Sequence, residues 1–328
     1  MNLEEFGKVW IASSPLTSNM DHIKKSIKAG ADTIILKSAT SLDAVIPPKG
    51  IRKISVHKLV EFNYGFVIPM QDSLHTTSTA RDCEMLSIKE SNNLFREIKK
   101  YSSGTKVIAN FAPITPDDFM LVNNLEGDAI EISQRWYDLK ISKPYFIIMD
   151  ANPKFDLKAN SSMRWRNSDI SKTIDHVVTE AKKYQLGLKE KEHAFRDGMN
   201  SIYGQRPILL KLCRQFFEMN LSVYEAMTCD GFTFSDSTKG GLITQLAGVQ
   251  VDIFGKGSMC GSTLTDETIA YIKHFRKRNT HYISASGGIL NADNAQQAIS
   301  NGAGSVQLCT AIYLYGYDSI KEIANKLK

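Results

Sequence analysis

The sequence is poor in the features that mark several protein classes. Its five cysteines, Cys83, Cys213, Cys229, Cys260 and Cys309, are odd in number, widely spaced and form no CxxC pair. That pattern excludes a disulfide framework, a zinc site and an iron–sulfur cluster as organising elements, so no metal is expected and a reduced, cytoplasmic chain is the default reading. No apolar run approaches the ~18 residues of a membrane span. The opening MNLEEFGKVWIASSP carries acids where a secretory signal would have a basic stretch and an apolar core, so no targeting segment is expected. Charge of one sign is also scarce. A formal net charge of +5 is spread along the chain, and short basic clusters such as KHFRKRN (273–279) read as exposed helix faces. This balance favours anionic ligands mildly and argues against nucleic acid or a membrane as the main partner.

What is present is alternation. At 328 residues and 42% hydrophobic, the chain can bury one large core or two ordinary ones. Eight apolar runs rich in β-branched residues recur: VWIAS (9–13), DTIILKS (32–38), TKVIANFA (105–112), DAIEIS (128–133), PILLKLC (207–213), GFTFSD (231–236), HYISAS (281–286) and SVQLCT (305–310). Amphipathic patterns lie between several of them, including MDHIKKSIKAG with Gly30 as a stop, DETIAYIKHFRKR, and NADNAQQAISNGA with a capping residue at its start and Gly302 at its end. Continuous apolar strands separated by helices imply a parallel sheet covered on both faces, and eight such units predict a closed (β/α)₈ barrel over 1–328. Two stretches depart from the rhythm. Residues 75–101 read as an active-site loop followed by a helix, and 137–205 read as an insertion serving as a lid or oligomer contact.

The C-terminal part carries the most specific pattern. Gly287-Gly288 ends one strand run, and Gly302 and Gly304 precede the next, which runs on into Cys309 and Thr310. Paired glycines at a strand end let backbone approach a ligand closely, and turn N–H groups can face an anion. Two such turns side by side match the phosphate site that barrels build from their last two strands. Tight turns without a ligand are the plainer alternative.

These residues also carry a resemblance. SASGGI, followed by NADNAQQAISNGAGSVQLCTAIYLYG, resembles the C-terminal end of the dihydroorotate dehydrogenase family, FMN-binding barrels in which this region holds the flavin phosphate. IASSPLT and AGADTIILKSAT resemble the family's first two strands. FNYGF resembles its PNxGF segment, VIANFA its IANVAG strand, GDAIEIS its AIELNxS, PILLKL its PVxVKL, CDGFTFSDSTKGG its DGLxxINTxxG, and GSMCGSTL its GGLSGPAI. The resemblance implies a flavin-dependent oxidoreductase of CH–CH donors in pyrimidine biosynthesis. Ala12, Ser13, Lys37, Ser38, Asn110, Lys211, Gly261, Gly287, Gly288, Cys309 and Thr310 would contact FMN, and Lys37, Asn63, Ser133 and Asp236 would contact the substrate.

Lys37 and Lys211 follow apolar strand residues, where a buried ammonium is costly without an anionic partner. A flavin edge is one such partner, with Lys211 facing charge that builds on reduction and Lys37 bridging flavin and substrate. An ion pair with Glu131 or Asp236 is the alternative. Asn110 reads either as a ring contact or as a turn cap, and Asn63 as a substrate contact or a left-handed turn residue.

Three departures bear on activity. Where the family's strand runs on into NLSCPN or a serine variant, which supplies a substrate-binding Asn and the base, this chain reads ISQRWYD, with Ser133 at the Asn position and Trp136 near the base. Indole cannot accept a proton. Asp236 stands where the family has an asparagine amide, and a carboxylate there repels an anionic substrate and suits a cationic or donor-rich one. Phe62 replaces the proline of PNxGF. The catalytic base is thus unknown, with His75 and Cys83 as candidates. Two other classes stay open: a flavin- or phosphate-binding barrel with a regulatory role, and a lyase or isomerase using Lys37 or Lys211 as a Schiff-base nucleophile. Electrons would pass to a soluble acceptor or a partner chain, and a homodimer is a further expectation.

Overall fold

A computed structural model of the chain describes residues 2–40, 60–62, 65–69, 76–79, 85–112, 121–122, 124–133, 206–211, 229–234, 238–239 and 258–328. Eight parallel strands form the barrel wall: Val9–Ile11 (β1), Thr33–Ile35 (β2), Lys106–Phe111 (β3), Ala129–Ser133 (β4), Ile208–Lys211 (β5), Gly231–Phe234 (β6), Tyr282–Ser286 (β7) and Ser305–Leu308 (β8). Each pairs with the next, and β8 returns to β1 through Val9↔Val306 and Ile11↔Leu308. The sheet therefore closes into the (β/α)₈ barrel the strand runs predict, and closure leaves these strands without an exposed edge.

Alternation along the strands sorts their side chains into two clusters. Ile11, Ile34, Val107, Ile130, Leu210, Phe232, Ile283 and Val306 pack outward with helix residues such as Ile23, Ile98, Ile272 and Ile320. Trp10, Ile35, Ile108, Ala129 and Leu209 form the inner cluster with Leu3 and Phe6 of the short N-terminal helix Leu3–Phe6. A barrel strand covered on both faces needs apolar residues at nearly every position, which is why these runs were readable.

Six α-helices lie among the described residues: Met20–Lys28 (α1), Ile88–Tyr101 (α2), Thr265–Arg276 (α3), Ala292–Ser300 (α4), Thr310–Tyr315 (α5) and Asp318–Leu327 (α6). Their starts follow from local chemistry. Asn19 accepts from the Asp21 N–H ahead of α1, and Asn291 accepts from the Asn294 N–H at 2.9 Å ahead of α4. Ser87 and Glu90 form a reciprocal capping box at α2.

The amino-terminal end of the barrel is sealed. Trp10 stacks on Tyr282 with ring centroids 5.8 Å apart, and its indole N–H donates to the carbonyls of Gly7 at 2.8 Å and Phe6 at 3.1 Å. Thr33 Oγ1 donates to the same Phe6 carbonyl.

A second, antiparallel sheet was not anticipated. Its order is Thr238–Lys239, Ser258–Gly261, Thr76–Thr79, Gly65–Pro69 and Val60–Phe62. Thr76–Thr79, read from sequence as loop, pairs with both Ser258–Gly261 and Gly65–Pro69. The helix expected after it is α2.

Candidate functional site

The barrel interior changes character from one end to the other. Above the apolar layer of Trp10, Ile35, Ile108 and Leu209 comes a polar layer, then the strand ends bearing Lys37 and Lys211. In the polar layer Glu131 is fully buried and accepts from Asn110 Nδ2 at 2.5 Å, Thr233 Oγ1 at 2.5 Å and Gln307 Nε2 at 3.3 Å. Gln307 Nε2 also donates to Thr233 Oγ1 and Ser284 Oγ, each at 3.0 Å, and Ser305 Oγ donates to Ser284 Oγ at 2.8 Å. Strand register sets these contacts, since Asn110↔Glu131, Thr233↔Ser284 and Ser284↔Ser305 are neighbours across adjacent strands. Neutral donors thus surround a buried carboxylate, which keeps its lone pairs satisfied.

A cleft partly open to solvent lies at the carboxyl ends of the strands, where barrels of this kind build their ligand sites. It gathers Ala12 and Ser13 after β1, Lys37 after β2, Lys211 at the end of β5, Gly287 and Gly288 after β7, and Cys309 and Thr310 after β8. Residues far apart in sequence therefore meet because each ends a barrel strand. Both lysines are buried, Lys37 at 3% and Lys211 at 4% exposure. They place positive charge where the dielectric is low and its reach is long.

Both glycines have left-handed backbone, φ 97° at Gly287 and 77° at Gly288. A Cβ on Gly288 would lie 2.4 Å from the Thr265 backbone nitrogen, and Thr265 Oγ1 donates to the Gly288 carbonyl at 2.7 Å. The turn is therefore pinned to the start of α3 at a spacing only glycine permits.

Three expected cofactor contacts stand outside the cleft lining. Ser38 is buried with its hydroxyl 3.3 Å from that of Ser13. Asn110 turns its amide nitrogen to Glu131 in the layer below. Gly261 adjoins Cys260, which does line the cleft. Ser133 is buried at the end of β4, in register with Lys211. His75, Cys83, Asn63 and Asp236 lie outside the described residues, as do Trp136 and the 137–205 segment.

The sequence reading missed Ser14, Cys260, Ser286, Gln307 and Tyr313, all of which line the cleft. Gln307 carried a usable signal: it shares the inward face of β8 with Ser305, two residues before it, and Cys309, two after.

Comparison with known proteins adds to this geometry. The family model for dihydroorotate dehydrogenase matches residues 159–328. The dihydroorotate dehydrogenase (quinone) of Natronomonas pharaonis is 29% identical over 148 residues, 42% of this chain. The aligned part is 41% of that relative's length. Strands β1 to β4 precede the region matched by the family model, and they complete the same closed barrel as the strands within it.

Proposed function

The chain belongs to the dihydroorotate dehydrogenase family, and from that premise we propose that it is an FMN-dependent oxidoreductase acting on a small substrate related to dihydroorotate. The observation that carries this reading is the meeting of Lys37, Lys211 and the Gly287-Gly288 turn in one cleft at the carboxyl ends of the barrel strands.

The residues present suit FMN. The glycine turn and Thr310 offer close backbone approach and a hydroxyl for a phosphate. The two buried ammonium groups suit a ring that carries carbonyl acceptors and gains negative charge on reduction. Gln307 lines the cleft, and its Oε1 is buried with no hydrogen-bond partner among the described residues, so an acceptor for a ring N–H is in place. When bound, FMN supplies a two-electron acceptor for a substrate C–H bond, or a hydride donor in the reverse direction.

The chain's own residues then do three things. Lys211 holds fixed positive charge in the cleft against the negative charge that develops on reduction, the kind of preorganised stabilisation that needs no reorganisation at the moment of reaction. Lys37 bridges cofactor and substrate and orients the substrate. Ser133 and Asn63 contribute hydrogen bonds to the substrate, and the Asp236 carboxylate selects against an acid, so the preferred substrate is cationic or rich in donors. His75 and Cys83 are the residues to test as proton acceptor, because Trp136 cannot serve.

The test is anaerobic titration of the FMN-loaded protein with dihydroorotate and with cationic analogues, offering a quinone and soluble acceptors for reoxidation. Bleaching of the flavin's visible band by one of these compounds is expected. A protein that binds FMN and is reduced by none of them would contradict the oxidoreductase reading.

A further inference from the structure

Gln307 is 2% exposed and lines the cleft. The direction its amide faces is fixed by the proton inventory beneath it. Thr233 gives its hydroxyl proton to Glu131 Oε1, so Thr233 Oγ1 can offer Gln307 only lone pairs. The Glu131 carboxylate likewise only accepts. Gln307 meets Thr233 and Glu131 with Nε2, at 3.0 and 3.3 Å, and Ser284 Oγ at 3.0 Å. Turning the amide over would set its carbonyl oxygen against the Thr233 and Glu131 acceptors and break both of those bonds. With the NH₂ committed, Oε1 is the end of the side chain left for a ligand, and it has no partner among the described residues. A buried acceptor left unpaired is costly and uncommon in native proteins.

We propose that Gln307 accepts a hydrogen bond from a ring N–H of the molecule that fills the cleft, and that Glu131, through Thr233, is the positioning residue that holds the amide in the accepting orientation. The inference rests on the FMN reading, and the N–H in question is then the imide N3–H of the isoalloxazine. The site therefore selects a ring carrying an imide donor, independently of the phosphate and the lysines.

The experiment measures the dissociation constants of FMN and of N3-methyl-FMN by fluorescence titration, for the wild type, Gln307→Met and Glu131→Gln. The wild type is expected to prefer FMN by roughly tenfold or more, the range for a buried hydrogen bond. Gln307→Met is expected to bind the two flavins about equally. Glu131→Gln, which can donate as well as accept and so frees the amide to turn, is expected to reduce the preference. Should Gln307→Met fail to fold, Gln307→Leu takes its place, and the wild-type comparison still decides whether N3–H is recognised. Equal affinity of the wild type for both flavins, or a full preference surviving in the Gln307 variant, overturns this inference while leaving the FMN reading intact. A wild type that binds neither flavin overturns the FMN reading itself.

Discussion

The two ends of the barrel solve opposite problems with the same alternation of residues. At the amino-terminal end Trp10, Phe6 and Tyr282 fill the interior, and the indole N–H and the Thr33 hydroxyl find carbonyl partners. At the carboxyl end two lysines are buried beside a left-handed glycine turn, and the Gln307 carbonyl has no partner among the described residues. One end is filled by packed aromatic rings, and the other gathers buried charged and polar groups around a cleft. Charged and polar groups that line an open cleft can meet a ligand, so chemistry belongs at the carboxyl end and stability at the amino end. The Glu131 network between them belongs to neither: its carboxylate is satisfied, and it passes orientation upward.

The largest effect that tests this division is expected from Trp10→Ala. Removing a fully buried indole should cost about 3–5 kcal/mol of unfolding free energy, measured by denaturant titration, with FMN affinity of the folded protein unchanged. A parallel fall in affinity would break the comparison.

The next is a pH effect at the same end. Burial pushes the Tyr282 hydroxyl up to about 12 from an ordinary value near 10. A raised folded-state value means that the native protein holds its proton where the unfolded chain has lost it. The contribution is fully present below about pH 10 and is lost as pH rises toward 12, amounting to about 2–3 kcal/mol. The stability difference between wild type and Tyr282→Phe should therefore shift against the wild type across that window, and a pH-independent difference would show that burial there is weaker than the structure indicates.

At the other end Lys211→Met or Lys37→Met should lower FMN affinity about 10- to 100-fold, the worth of a charged hydrogen bond. Loss of stability without loss of FMN affinity would reassign the lysines to structure.

A matched glycine pair gives the finest contrast. A Cβ at Gly304, at the amino end, would lie 2.4 Å from the Tyr282 ring, as close as one at Gly288 would come to Thr265 at the carboxyl end. Gly304→Ala should cost about 1–3 kcal/mol of stability and leave FMN retention alone, whereas Gly288→Ala should impair retention as well.

The barrel was legible because parallel strands buried on both faces write themselves as apolar runs, and the capping residues Asn291 and Gly302 mark α4 in the same way. The second sheet was not. Thr76–Thr79 is short and polar, and its partners lie at 65–69 and 258–261, so neither composition nor spacing announces the pairing. For the site, residues chosen because they end strands reached the cleft together. Asn110 was chosen for its place in a motif, yet its amide turns down to Glu131, a contact fixed by register rather than by local sequence. Gln307 was overlooked because the glycines and Thr310 around it drew the reading, although alternation along β8 already placed it inside.

The central claim is that the carboxyl mouth holds FMN. The most direct test is to incubate the purified protein with FMN, remove free flavin by gel filtration, and record the visible absorption spectrum of the protein peak. The account predicts a flavin spectrum at stoichiometric occupancy, lost in a Lys37→Met, Lys211→Met double variant that remains folded. A colourless wild-type peak, or equal retention by the folded double variant, would contradict it.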